Sequence, residues 1–449
     1  MKLYFHGGAQ TVTGANYLLE IGGKKILVDC GLNQGSRFCE ELNFEPFPYK
    51  PKDIDALFIT HAHIDHIGRV PKLKREGFRE QIYSTPPTKD FAELMLIDSE
   101  HILNQEAQHL KRNPLYTTAD IIKALGSWEA VPYHHKLDFE GFSATFYDAG
   151  HILGSGFIVF EGEGKKIVFS GDLGNTPDPI LKPTETISDA DYCLIESAYG
   201  GRVHEDEPSR KAILKDVIES TVKSKGTLMI PAFALERAQE ILYELNSLVE
   251  HKRIPKVPVF LDSPLAISLT AVYKKYGSYF NVETQKIIKS GDQIFNFSGL
   301  HLTMTTEQSK EINKVPNPKI IIAGSGMSQG GRILHHERRY LSDHNSTVLF
   351  VGYQVAGSLG RKILNGENVV RIFGEDIPVR CKVKAIGGYS SHADQPLLLK
   401  WLKPMKKSLR KVFAVQGEPE ESGALANKIK EELGIPAEVP QLDSFYELA

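Results

Sequence analysis

Three histidines and one aspartate stand within six residues of this chain: His61, His63, Asp65 and His66, in the stretch LFITHAHIDH that spans 57–66. The apolar run before them (Ala56, Leu57, Phe58, Ile59) is too short for a helix and reads as a buried strand. So many polar rings in one turn cannot all be satisfied by packing, which argues against core filler. His61 and His63 alternate with Ala62, and an extended backbone then points both imidazoles the same way. Asp65 and His66 follow in the turn into a helix expected from Ile67, where they face a second point close by. Imidazole nitrogens and carboxylate oxygens are the ligands that zinc takes.

Other strands repeat the arrangement, each delivering a ligand-type residue just past its last apolar position. They are Asp29 after ILV, His151 after the strand reaching Tyr147, Asp172 after IVFSG, and Glu196 after CLI. Functional groups gathered on one rim of a rigid sheet are the usual way a fold builds a site. His151, in AGHILGSG, would complete a three-nitrogen set with His61 and His63. Asp172, in SGDLG, reads either as a turn-capping acid or as a carboxylate bridging two cations. Two cations about 3.5–4 Å apart form the clamp used for phosphoester cleavage. Asp29 reads as an acid that orients the loop and not as a ligand.

The elements that must position these groups fall into three stretches. Short β-type runs dominate up to 204: 2–5, 16–21, 24–29, 55–60, 142–150, 157–162, 165–171 and 192–196. Gly22-Gly23 and Gly162-Glu163-Gly164 mark hairpin turns, and helices interrupt near 67–76, 88–110 and 118–126. Residues 205–370 alternate longer helices with the buried strands TLMIPAF, PVFLD, KIIIAG and TVLFVGY, the pattern of a doubly wound parallel sheet, with 277–306 unassigned. From about 370 the short strands return (VVRIFG, PVRCKVKAI, YSSHAD), followed by a helix at 395–402, a strand at 411–418 and a helix at 421–433. The expected organisation is one metal-binding domain, 1–204 and 371–449, split by an inserted domain at 205–370.

Bulk properties bound the function. The 449 residues exceed one ordinary core, which agrees with this division. Hydrophobic content of 41% and charged content of 24% are those of a soluble globular protein. A net charge of −3 excludes a basic nucleic-acid tail, so any polyanion must be held by a local patch. The runs Lys72, Lys74, Arg75 and Lys406, Lys407, Arg410, Lys411 read as solvated faces. Cys30, Cys39, Cys193 and Cys381 form no C-x-x-C pair and read as reduced thiols, which predicts a cytoplasmic protein. No apolar signal core opens the chain and no run approaches membrane-spanning length, so no membrane partner is expected.

HAHIDH, with His151, Asp172 and GGAQTVTGANYLLEIGGKKILVDCG at 7–31, resembles the metallo-β-lactamase superfamily. LIESAYG around Glu196, AGSGMSQGGRILHH (323–336), NSTVLFVGYQVAGSLGR (345–361) and GYSSHAD around His392 narrow the resemblance to the β-CASP nucleases. Within these the chain is similar to the RNA-processing branch, which includes the endonuclease subunit of the mRNA cleavage and polyadenylation factor and its bacterial and archaeal relatives. The resemblance implies an α/β fold: a metallo-β-lactamase αββα sandwich with an inserted doubly wound parallel-sheet β-CASP domain. It implies two zinc ions, the first held by His61, His63 and His151, the second by Asp65 and His66, with Asp172 bridging.

The same resemblance implies hydrolysis of RNA phosphodiester bonds by a metal-bound hydroxide, with His392 as general acid held by Glu196; Asp65 and Asp29 are counted with the catalytic set. The glycine-rich turn with Gly326, Ser328, Gly330, Gly331 and Arg332 would hold a backbone phosphate. The implied partner is single-stranded RNA in processing or decay, cut internally or from the 5′ end; a homodimer is left open. One position departs from the family pattern. Its last motif has a histidine just before Gly-Glu, and here FAVQGEPE places Gln416. An amide oxygen is a harder, weaker zinc ligand than imidazole, so the second site is expected to be weaker and open to Mn2+. The alternatives are a small-ester (thioester or lactone) hydrolase on the same metal core, a DNA nuclease of the family, and a non-catalytic RNA-binding scaffold.

Overall fold

The strand Lys2–Gly7 alternates half-buried Lys2, Tyr4 and His6 with buried Leu3, Phe5 and Gly7, the period of two that lays one face of a strand on a core. The computed structural model that shows this describes all residues except Ser36, Glu205, Asp206, Tyr353, Ala356 and 387–389, and omits the side chains of 37–38 and 207–209. The chain divides into two units, Met1–Val203 with Ser391–Ala449, and His204–Ser390.

The first unit holds two seven-stranded sheets. One runs in the order Phe445–Glu447, Lys2–Gly7, Asn16–Ile21, Lys24–Val28, Ala56–Phe58, Ile82–Ser84, Trp128–Ala130. The other runs Ala437–Glu438, Lys411–Val415, Tyr192–Glu196, Lys165–Phe169, Gly156–Gly162, Phe142–Asp148, Leu137–Phe139. A single core joins their inner faces, with Leu3, Phe5, Val28 and Phe58 from the first sheet against Phe146, Phe160, Phe169 and Phe413 from the second. On the second sheet's outer face, Val159, Val168, Ile195 and Val412 pack against Leu398, Leu402, Leu425 and Ile429 of the C-terminal helices. Gly22 and Gly23 join two antiparallel strands with φ of 58° and 78°, the left-handed pair that a two-residue hairpin turn requires.

The second unit is a six-stranded, all-parallel sheet in the order Leu300–Leu302, Val259–Leu261, Lys319–Ala323, Thr227–Pro231, Thr347–Phe350, Lys382–Ala385. The stretch 277–306, unassigned from sequence, contributes the helix Val282–Lys289 and the edge strand Leu300–Leu302.

Residues 371–390 group with the second compact unit, because Lys382–Ala385 pairs with Thr347–Phe350 and a hairpin, Val369–Ile372 with Glu375–Pro378, precedes it. Three expectations need correction. The stretch read as the strand YSSHAD forms only an isolated bridge between His392 and Gly174, and Tyr389 lies outside the described residues. The helix expected from Ile67 begins at Ile64, with His63 at the position before it, so Asp65 and His66 lie within its single turn; a second helix, Val70–Arg75, follows with Pro71 in its first turn. Lys72 is no solvated face: it is 1% exposed, with its ammonium 4.3 Å from the Phe47 ring centre and bonded to the Glu45 carbonyl.

The backbone of 64–66 is clamped from below. Ala15 N donates to Asp65 O at 3.0 Å, Cys30 N to His66 O at 2.8 Å and Leu32 N to Ile64 O at 2.9 Å. Gly31 lies so close that a Cβ there would stand 1.5 Å from Asp65 O. Gly31→Ala therefore pushes the loop off its support, and the expected cost is about 1–3 kcal/mol, as for overpacking generally. Urea unfolding measures it, and an unchanged midpoint would show that the clamp has slack.

Candidate metal centre

Parallel register aligns the strand ends. Val28 pairs with Phe58, while Phe169, Leu194 and Phe413 pair in sequence, so Asp29 and His61, and likewise Asp172, Glu196 and Gln416, leave neighbouring strands at the same end. His61, His63, His151 and Asp172 converge there, one ligand atom from each lying within 4.8 Å of all the others. His63 Nδ1 is 3.1 Å from His61 Nε2 and 3.2 Å from His151 Nε2; Asp172 Oδ2 is 3.5 Å from both His61 Nε2 and His151 Nε2. Zinc bonds of 2.0–2.1 Å in a tetrahedron would set ligand atoms about 3.3–3.4 Å apart. The spacing fits such an ion.

The charges fit as well. Burial first, then neighbouring imidazoles, lowers the pKa of His61 and His151 well below the usual value, leaving neutral rings that can offer a lone pair. Burial would raise Asp172, but His66, His61 and His392 outweigh it and hold the carboxyl well below the ordinary range. Neighbours set the ring orientations. Thr60 Oγ1 donates to Asp29 Oδ2 at 2.8 Å and sits 3.1 Å from His61 Nδ1, while His151 Nδ1 is 3.1 Å from the Ser391 carbonyl. With Nδ1–H so engaged, each ring turns the lone pair of Nε2 toward the shared point.

The second set is built differently. His66 Nδ1 meets Asp29 Oδ2 at 2.7 Å, and its Nε2 lies 3.4 Å from Asp172 Oδ1 and 3.9 Å from Asp65 Oδ2. Gln416 reaches the same place, but with its nitrogen and not the expected oxygen: Nε2 donates to Asp172 Oδ1 at 2.6 Å. A carboxylate oxygen accepts, so the amide turns its donor to it. Asp29 also accepts from Thr60 N at 2.8 Å, which makes it the anchor of both His66 and the strand end.

His392 stands beside the first set, its ring centre 4.6 Å from that of His151. Its Nδ1 meets Glu196 Oε2 at 3.0 Å and lies 3.8 Å from Asp172 Oδ2. Burial would lower its pKa, but Glu196 and then Asp172 prevail and raise it to about 9. Glu196, fully buried, is fixed through its other oxygen by Leu173 N at 2.6 Å.

The glycine-rich turn belongs to the second unit, where Arg332 and Ser328 are hydrogen-bonded. Arg332 donates to Asp262 Oδ1 and the Thr303 carbonyl at 2.8 Å and to the Met304 carbonyl at 2.9 Å. Asp262 also receives His336, Ser309 and Thr303; burial would raise its pKa, but these hydrogen bonds hold it down to about 2. Ser328 is fully buried with its hydroxyl on Glu337. Arg332 and Ser328 thus carry structural bonds within the second unit. Gly330 opens onto free space, whereas a Cβ at Gly326 would meet the Phe233 ring and one at Gly331 the Gly324 carbonyl.

Sequence reasoning missed Thr60 and Tyr17. A threonine beside a histidine carries no periodic signal. Tyr17 could have been read as inward-facing from the alternation of its strand; its hydroxyl is buried without a hydrogen-bond partner among the described residues and borders the space above Gly8 that Gln416 also lines.

Comparison with known families finds the metallo-beta-lactamase superfamily over residues 11–215, the Beta-Casp domain over 238–363, and the Zn-dependent metallo-hydrolase RNA specificity domain over 376–440. Ribonuclease TTHA0252 of Thermus thermophilus is 40% identical over 432 residues, covering 95% of each chain. An RNase J-like protein of Methanocaldococcus jannaschii is 33% identical over 443 residues, covering 98% of this chain and 97% of that one. The transcription termination factor FttA of Methanosarcina mazei is 30% identical over 96% of this chain and 69% of its own length. A crystal structure of an Enterococcus faecalis protein of unknown function shares the fold, with a TM-score of 0.53, 12% identity, and coverage of 100% of this chain and 99% of that one.

Thr60 supplies the prediction that follows from this geometry. Thr60→Val keeps the volume but removes the hydroxyl from His61 and Asp29, and loss of such an outer partner typically weakens metal affinity about 10–100-fold. Competition with a chelating dye measures it, and unchanged affinity would show that Thr60 does not orient His61.

Proposed function

Because the chain belongs to the β-CASP branch of the metallo-β-lactamase superfamily, we propose that it is a metal-dependent ribonuclease of RNA processing or decay, cutting single-stranded RNA. The observation that carries this reading is the seating of the His392–Glu196 pair beside the four converging ligand atoms of His61, His63, His151 and Asp172. A divalent cation held by those four, read as zinc because imidazole nitrogens and a carboxylate are ligands zinc takes in a tetrahedron, would supply Lewis acidity at a phosphoryl oxygen and lower the pKa of water.

The chain's own residues do the rest. Glu196 holds His392 by Nδ1, which leaves Nε2 as the atom that passes a proton to the leaving oxygen. The loop carrying His392 is tied to the strand end carrying Asp172: Ala393 N donates to Leu173 O at 2.8 Å and Asn175 N to Ser391 O at 2.9 Å. Proton donor and cation set are therefore held at a fixed spacing, the preorganisation that proton transfer in a transition state needs. A small-ester hydrolase would use the cation set but give the His392–Glu196 pair no comparable task. No helix among the described residues is long and apolar enough to cross a membrane.

His392→Ala is expected to slow cleavage of end-labelled single-stranded RNA by about 10²–10⁴-fold, the usual worth of a positioned general acid, with cation content and RNA affinity retained. Loss of the cation in that variant would make His392 a ligand instead. Removal of the metal by chelator is expected to abolish cleavage by the unmodified protein, and full activity without metal would refute the proposed chemistry.

A further inference from the structure

Gln416 sits where the neighbours of a second cation would meet. Its side-chain nitrogen donates to Asp172 Oδ1 at 2.6 Å and lies 3.1 Å from His66 Nε2. Those two atoms are the ones a second ion would need, since Asp172 turns its other oxygen toward His61 and His151. The residue is pinned: it is 3% exposed, its φ is 53°, and its backbone N–H donates to the Gly8 carbonyl at 2.7 Å. Its backbone is thereby fixed at the strand end, with the side chain buried beside Asp172.

An amide nitrogen is a donor only and has no lone pair to give a metal. Rotating the amide by half a turn exchanges nitrogen and oxygen without moving the residue. The oxygen would then oppose Asp172 Oδ1, which is repulsive unless a cation stands between them. A second ion therefore costs a charge-assisted hydrogen bond and receives in return a weaker ligand than imidazole.

We propose that Gln416 makes this a centre with one tightly held cation: its amide takes, on Asp172, the place of a second ion, which enters only by turning that amide round. The proposal rests on the reading that His61, His63, His151 and Asp172 hold the first. Gln416 is then a positioning residue that keeps Asp172 aimed at that ion.

Zinc content separates the possibilities. The full chain, stripped with chelator, is titrated with zinc in a calorimeter, and the metal retained after gel filtration is counted. The unmodified protein is expected to retain one zinc per chain. Gln416→His, which supplies a lone pair at the same place, should double that content, as should Gln416→Glu, which supplies a charged oxygen from a side chain of equal length. Two equally tight zincs in the unmodified protein, or a content that stays at one in both variants, would overturn the proposal. No zinc retained by the unmodified protein would remove the first centre as well, and with it the proposed function.

Discussion

One buried carboxylate carries two sets of obligations. Asp172, 4% exposed, turns Oδ2 to His61 and His151 and Oδ1 to His66 and Gln416. A charge removed from water persists only if partners replace its hydration. Here imidazoles, an amide and, in the functional protein, a cation do so. Those partners come from both sheets, His61 and His66 from the segment after Ala56–Phe58 and His151 and Gln416 from strand ends of the other sheet, so satisfying Asp172 requires both sheets of the sandwich to be in register.

That requirement explains the rigidity around the site. Asp29 adopts a left-handed backbone, φ 59°, and so does Gln416, φ 53°, conformations that non-glycine residues hold only when their surroundings compel them. Asp29 is compelled by three bonds, to Thr60 N, Thr60 Oγ1 and His66 Nδ1. The glycine beneath the histidine loop removes the last steric objection to close approach. Two left-handed residues and a buried carboxylate thus meet at this rim, which is where catalysis needs atoms held to a fraction of an ångström.

Much of this was legible because it is local. The ending of a buried strand in LFITHAHIDH, the glycine-hemmed Asp172 and the strand-end Glu196 are properties of a few consecutive residues, and the structure brings these side chains to one rim. What escaped is non-local. The bond from Arg332 to Asp262 spans 70 positions, and no periodicity reports it. Lys72 belonged to a charge run until Phe47 and Glu45 closed over it. The strand Lys382–Ala385 reads as polar because it is the half-exposed edge of its sheet, so nothing in its composition marked it as part of the second unit. Gln416 was visible as a departure, but which end of the amide faces Asp172 depends on atoms contributed by three separate strand ends or loops.

Anomalous diffraction at the zinc absorption edge, on crystals of the purified chain, tests the central claim most directly. The geometry predicts a strong peak at bonding distance from His61 Nε2, His63 Nδ1, His151 Nε2 and Asp172 Oδ2 together. No peak at that point in zinc-loaded crystals, or metal bound only elsewhere on the chain, would contradict it.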